Sequence, residues 1–326
     1  MKYTLIFFSI FFSTTLFSLA QSAGITGSLL ITPEYPKPFS SVSVRFESYS
    51  FDIDRALITW SVDGKQVLSG IGETRLSVSV GGEGTLTKVS VSVRPNEGGS
   101  FSDQILITPS SVSLVWEATD TYVPPLYKGK ALPSEGALVR VVALPSFYSG
   151  SSPYNPKMIN YQWSVNGERV KSLSGVGRQS IDTKLNYLEN ENIISVVATT
   201  FDGSQSASEE VTIVPTPISP RFYTFDPLYG VDYTKAFTDR VEITKATSFV
   251  FEPYYISNKD LSSPNIETQW SLNGLPIEVP ESGVLTITPK PDTSGVGALS
   301  VTIEQTKKYL QKAEGVLQIV FNTKNN

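Results

Sequence analysis

The 326-residue chain contains no cysteine and no histidine. Without cysteine there are no disulfides and no thiol for lipid attachment, so every folded unit must rest on its own apolar core. Without histidine the usual zinc, copper and iron ligand sets and all histidine-based catalytic triads are excluded, which leaves oxygen donors suited to calcium or magnesium. Clusters of Lys and Arg are also missing, and 26 basic residues face 31 acidic ones. Nucleic acid and anionic membrane surfaces are therefore not expected as partners, because nothing is present to neutralise a run of phosphates.

Long apolar runs are absent beyond residue 20. Before that point, Met1-Lys2 leads into an apolar stretch from Tyr3 to Leu19 that closes on Ser18-Leu19-Ala20. This is the pattern of a secretory leader, residues 1–20, cut after Ala20, with Ala23 as a second site. Left uncut, the same stretch would be an N-terminal membrane anchor, the one route to a membrane the chain offers. The remainder is expected to be exported, extracellular or at the cell surface.

What the sequence does contain is a recurrence. Trp60-Ser61-Val62-Asp63-Gly64 returns as Trp163-Ser164-Val165-Asn166-Gly167 and as Trp270-Ser271-Leu272-Asn273-Gly274. A period of about 100 residues is the size of one β-sandwich and too long for a stacked solenoid repeat. Around the recurrence, alternating runs such as Val42-Ser43-Val44-Arg45-Phe46, Val89-Ser90-Val91-Ser92-Val93 and Leu299-Ser300-Val301-Thr302-Ile303 have the period-two pattern of half-buried antiparallel strands. Gln305 to Ala313 is read as a charged hairpin between two strands. The expected class is all-β: three tandem Ig-like antiparallel sandwiches, each folding alone in an elongated array, at 24–108, 110–214 and 218–323. The joints, Ile107-Thr108-Pro109-Ser110 and Val214 to Pro220, carry prolines that cannot donate to a ladder, and are expected to be short, semi-rigid spacers.

Each tryptophan lies two residues from another strand position on the same face (Ile58, Tyr161, Thr268), so Trp60, Trp163 and Trp270 are expected in the core. The dipeptides Asp63-Gly64, Asn166-Gly167 and Asn273-Gly274 readily adopt the positive φ values of a type I′ turn. Ser69-Gly70-Ile71-Gly72 and Ser174-Gly175-Val176-Gly177 follow the first two motifs. The third module lacks that element at this place, and Glu281-Ser282-Gly283 runs directly into a strand.

With these residues in view, the chain resembles the Ig-like and PKD-like repeat modules of bacterial cell-surface proteins, most closely over Tyr161-Gln162-Trp163-Ser164-Val165-Asn166-Gly167. The PKD-type Gly-Asp-Gly turn is replaced by Asp-Gly or Asn-Gly. The resemblance implies an extracellular spacer or adhesion role, with a protein or cell-envelope component as partner and no catalytic residues.

Aromatic residues on irregular stretches at the module joints, Trp116, Tyr122, Tyr127, Tyr223 and Tyr229, are the candidate binding residues. They either pack the joint between modules or form an exposed set for a carbohydrate ligand. Asp52, Asp54 and Asp63 are candidate calcium ligands, and no other cofactor is expected. A glycan-active enzyme would require a cleft with two carboxyl groups, one of them raised in pKa by burial.

Overall fold

The computed structural model of the chain describes residues 25–280, 282–292 and 294–322, and the expected leader lies outside them. The described residues are all-β, with strands joined by turns and three single-turn 3-10 segments. No helix among them is long and apolar enough to cross a membrane.

Three successive Ig-like sandwiches follow one plan. In the first, Ser28–Thr32, Ser41–Glu47 and Arg75–Ser79 form one sheet, and Lys65–Ile71, Leu57–Val62, Thr87–Arg94 and Phe101–Ile107 form the other in that order. Alternation turns Val42, Val44 and Phe46 inward from one sheet and Ile58, Trp60, Val89, Val91 and Val93 from the other, while the Ser, Thr and Arg between them face outward. The second sandwich repeats the arrangement. Ser180–Lys184, Leu138–Ser146 and Ser111–Ala118 form one sheet, and Glu168–Arg169, Asn160–Val165, Asn192–Thr199 and Ser206–Ile213 the other. The third is wider: Gly230–Val231, Ser219–Asp226, Thr247–Tyr254 and Val284–Ile287 oppose Arg240–Ile243, Lys312–Asn322, Ser294–Gln305, Ile266–Leu272 and Leu275–Ile277. Its pairing of Arg240–Ile243 with Lys312–Asn322 is parallel, and its neighbours are antiparallel. The charged hairpin falls between Ser294–Gln305 and Lys312–Asn322.

One indole sits in each core. Trp60 and Trp163 are fully buried, and their Nε1 atoms donate to the Glu73 and Arg178 carbonyls at 2.7 and 2.8 Å; Trp270 is 9% exposed. The turn after each is left-handed as expected, with φ of 50° and 81° at Asp63-Gly64, 51° and 81° at Asn166-Gly167, and 54° and 79° at Asn273-Gly274. The Asx side chain also bonds across to the strand paired with its own. Oδ1 of Asp63, Asn166 and Asn273 accepts from the N–H of Lys88, Ile193 and Ala298 at 2.8 to 2.9 Å. Each motif therefore ends one strand and fixes its register on another.

The second and third sandwiches fall within one compact unit of the chain. One compact unit comprises the chain up to Glu34 with Ser41–Ser79 and Thr87–Ile107; the other comprises Tyr35–Ser40, Val80–Leu86 and everything from Thr108 onward. Within this second unit, the proline-rich stretch Val214 to Pro220 is fastened and not merely a spacer. The Thr216 N–H donates to the Pro133 carbonyl at 2.7 Å, Ile218 packs against the third core, and Ser219 and Pro220 already pair with Tyr254 and Pro253.

Candidate functional site

The irregular stretch from Thr119 to Ala137 links two strands of the second sandwich, and its prolines keep it out of their ladder. It reaches instead into the third sandwich. The Tyr122 N–H donates to the Ile256 carbonyl at 2.8 Å, and the Tyr255 N–H donates back to the Tyr122 carbonyl at 2.9 Å. Tyr255 is held at a φ of 73°, a conformation costly for a bulky residue that persists only where the surroundings enforce it.

Three side-chain clusters complete the joint. In the first, the Tyr122 ring packs against the third core, and its hydroxyl donates to Oε2 of Glu252, while Tyr233 donates to Oε1 at 2.9 Å. Glu252 is only 4% exposed. Burial pushes its pKa above the usual glutamate range, and the two tyrosine donors pull it partly back. Burial and the neighbouring carboxyl group push the Tyr122 phenol far upward, so it remains a donor at any ordinary pH. Further hydroxyl pairs surround this centre, Tyr223 with Tyr254 at 2.7 Å and Tyr127 with Tyr255 at 2.8 Å, and the Tyr127 ring meets Tyr254 edge-on with centroids 5.6 Å apart.

In the second cluster, Gln311 is 1% exposed and uses both ends of its amide. Nε2 donates to Ser134 Oγ at 2.8 Å and to the Glu135 carbonyl at 2.6 Å, and Oε1 accepts from the Ser257 N–H at 2.8 Å. The third is a partly buried ion pair between Asp120 and Lys308 at 2.5 Å, closed by the Ser257 hydroxyl, which donates to the same Asp120 oxygen at 2.7 Å. A buried polar group left unpaired is costly, so each cluster ties the two sandwiches in one relative position.

The five candidate aromatics separate accordingly. Tyr122, Tyr127 and Tyr223 belong to the joint. Trp116 is half-buried on the second core, and the Lys130 ammonium lies 3.0 Å from its ring centroid, covering the face a sugar would need. Tyr229, 88% exposed at a hairpin tip, is the one that faces solvent freely. The set does not form the shared exposed surface that the carbohydrate reading requires.

The calcium candidates serve local structure. Asp52 caps a 3-10 turn by accepting from the Asp54 N–H, and its other oxygen lies 3.4 Å from Arg55; Asp63 holds the Lys88 N–H. Among the described residues no group of three or more carboxylates gathers as a metal site.

Beside Glu252 the third sandwich opens into a cleft of about 1100 Å³ that also holds Glu278. It contains the two carboxyl groups an enzyme reading would ask for. Both oxygens of Glu252 are, however, already accepting tyrosine protons, which positions it to hold the joint.

The residues that matter most here, Glu252, Gln311, Asp120, Lys308 and Ser134, were not among the sequence candidates. The signal available was Glu252 itself, a charged residue in the otherwise apolar and aromatic run Phe249 to Tyr255.

No family model and no curated protein matches the chain. Solved structures similar to it are tandem β-domain arrays. The three N-terminal domains of the highly immunogenic outer capsid protein of bacteriophage RB49 align at 12% identity over 93% of this chain and 100% of that one, with a TM-score of 0.26. The fibronectin(III)-like modules of Clostridium thermocellum CbhA align at 11% over 58% and 94%, with a TM-score of 0.30. Immunoglobulin domains 1–5 of Sidekick-1 align at 10% over 92% and 60%, with a TM-score of 0.28. At these values they identify no family and carry no functional assignment.

Proposed function

We propose that the chain is a non-enzymatic, exported protein of the cell surface or the surrounding medium, acting as a structural or adhesive spacer and protein-interaction array. In this reading its second and third sandwiches work as a single stiff piece. The observation that carries it is the joint itself: two backbone hydrogen bonds, the Tyr122–Glu252–Tyr233 centre, the Gln311 amide and the Asp120–Lys308 pair all link the same two sandwiches. Side chains invested in fixing a relative position suit a mechanical or presenting role. The leader-like segment ahead of the alternating sequence supports export, and kinship with bacterial PKD-like modules belongs to the same proposal.

Mass spectrometry of the intact protein from separated medium and envelope fractions tests it. A chain beginning at Gln21 in either fraction is the expected result. A chain retaining residues 1–20 and confined to the cytosol contradicts it.

A further inference from the structure

The outer edge of the tryptophan strand is treated differently in the three sandwiches. In the first, Leu57–Val62 is paired along its whole length by Lys65–Ile71. In the second, Glu168–Arg169 covers one end of Asn160–Val165 and Gly175–Val176 the other. In the third, Leu275–Ile277 covers only Trp270–Leu272, and no described strand pairs with residues 266–269 on that side.

The glycine turn that closes this edge in the first two sandwiches bonds elsewhere in the third. Gly72 and Gly177, at φ of 70° and 71°, donate to the carbonyls of Ala56 and Ile159 at 3.0 and 2.9 Å, just before the tryptophan strand, and so close the edge. Gly283 has the same φ of 71°, but its N–H returns to Pro280 at 2.8 Å within its own turn. The inward position two residues before the tryptophan has changed with it: Ile58 and Tyr161 are fully buried, whereas Thr268 is exposed.

The gap has a second bare wall. Val284–Ile287 pairs with residues 247–250, and no described strand pairs with 251–254 on that edge. Between the walls lies the cleft of about 1100 Å³, lined by Phe251, Glu252, Thr268, Trp270 and Glu278 among others. The Asn273 N–H bonds Ala298 on the opposite edge, so strand alternation turns the N–H and C=O of Thr268 toward the cleft.

We propose that this cleft takes an extended segment of a second polypeptide, added as a strand to the edge at residues 266–269. The chain shows what fits there, because Ser69-Gly70-Ile71-Gly72 and Ser174-Gly175-Val176-Gly177 fill the equivalent place in the two sister sandwiches. Backbone pairing supplies the attraction in strand addition, and alternate side chains supply selectivity. The occupant carries small residues around one β-branched side chain, with a basic residue beside them. Glu278 is exposed on the cleft wall and no Lys or Arg among the described residues lines it, and Arg178 follows the arm of the second sandwich. A sugar is disfavoured because Trp270, 9% exposed, presents no open ring face. The inference goes beyond the stiff-joint reading: the cleft borders the joint at Tyr122 and Glu252, but the bare edge at residues 266–269 belongs to the third sandwich, and peptide titration and exchange of the joint amides read the two separately.

The test titrates a synthetic peptide with the sequence of residues 172–179 into the full-length protein and follows hydrogen exchange by NMR. Saturable binding with half-saturation below about 1 mM, and new protection of the Thr268 amide, is expected. N-methylation of the peptide glycine equivalent to Gly175, whose N–H faces the edge in the second sandwich, and the substitution Thr268→Pro, which removes the edge N–H, each weaken binding by about tenfold or more. The peptide variant keeps the test decisive if the protein variant does not fold. No saturation, or binding that leaves the Thr268 amide unchanged, overturns the proposal. Equal protection by an oligosaccharide with none by the peptide overturns the choice of occupant.

Discussion

The Tyr122 hydroxyl in the second sandwich donates to the Glu252 carboxyl group in the third, across 130 residues of sequence. Glu252 is otherwise bound by Tyr233 and almost shut off from water. Glu252→Gln leaves one of the two tyrosine hydroxyls facing an amide N–H₂ that cannot accept its proton. A loss of about 1–3 kcal/mol is expected, located at the joint. Denaturant unfolding with fluorescence and hydrogen exchange measures both the size and the place.

The same carboxyl group gives a pH dependence whose sign is set by burial. Its folded pKa lies above the unfolded value of about 4.3, so the folded state holds the proton more tightly. This contribution is full below the unfolded pKa and is lost as pH rises through the raised folded value. The melting temperature of the second and third sandwiches is therefore expected to fall with rising pH over that window. Glu252→Gln should flatten this part of the profile, and an unchanged slope contradicts the assignment.

Gln311→Ala strips partners from Ser134, Glu135 and the Ser257 N–H at once, in a site closed to water. The expected loss is about 2–4 kcal/mol, larger than for an ordinary surface amide. Ser134→Ala on its own costs less. In a double-mutant cycle the pair is expected to be non-additive by more than about 0.5 kcal/mol, because both residues belong to one network.

In the second sandwich, Gly177→Ala is expected to cost at least about 1–2 kcal/mol. The residue sits at a φ of 71°, and an added Cβ would lie 3.0 Å from the Lys157 carbonyl oxygen. Gly283→Ala shares the strained φ, but nothing lies within 4 Å of its Cβ position, so its loss is expected to be the smaller. Thermal unfolding of the two variants decides the order.

These features differ in how far the sequence revealed them. Trp163, Asn166 and Gly167 lie side by side in one strand and its turn, and a motif that compact recurs visibly in each module. The partners of the joint are separated by 130 residues for Tyr122 with Glu252, 177 for Ser134 with Gln311 and 188 for Asp120 with Lys308. No periodicity connects residues so far apart, and a buried glutamate reads like any other until its surroundings are known. The proline stretch at 214–220 was legible as a boundary. That it is fastened by Pro133 and Tyr254 follows from tertiary contacts alone. The altered third module was visible as a missing Ser-Gly-x-Gly element, but its consequence, a bare edge beside Thr268, required the strand pairing.

Native-state hydrogen exchange on the intact chain tests most directly whether the second and third sandwiches are one unit. The amides of Tyr122 and Tyr255 are the probes, since their backbone bonds cross the joint and no strand of either sandwich contains both. If the joint is part of a single cooperative structure, both amides exchange with the same opening free energy as core amides such as those of Val196 and Val301. Exchange of Tyr122 and Tyr255 within seconds, while the two cores stay protected, would show two beads on a hinge and contradict the account.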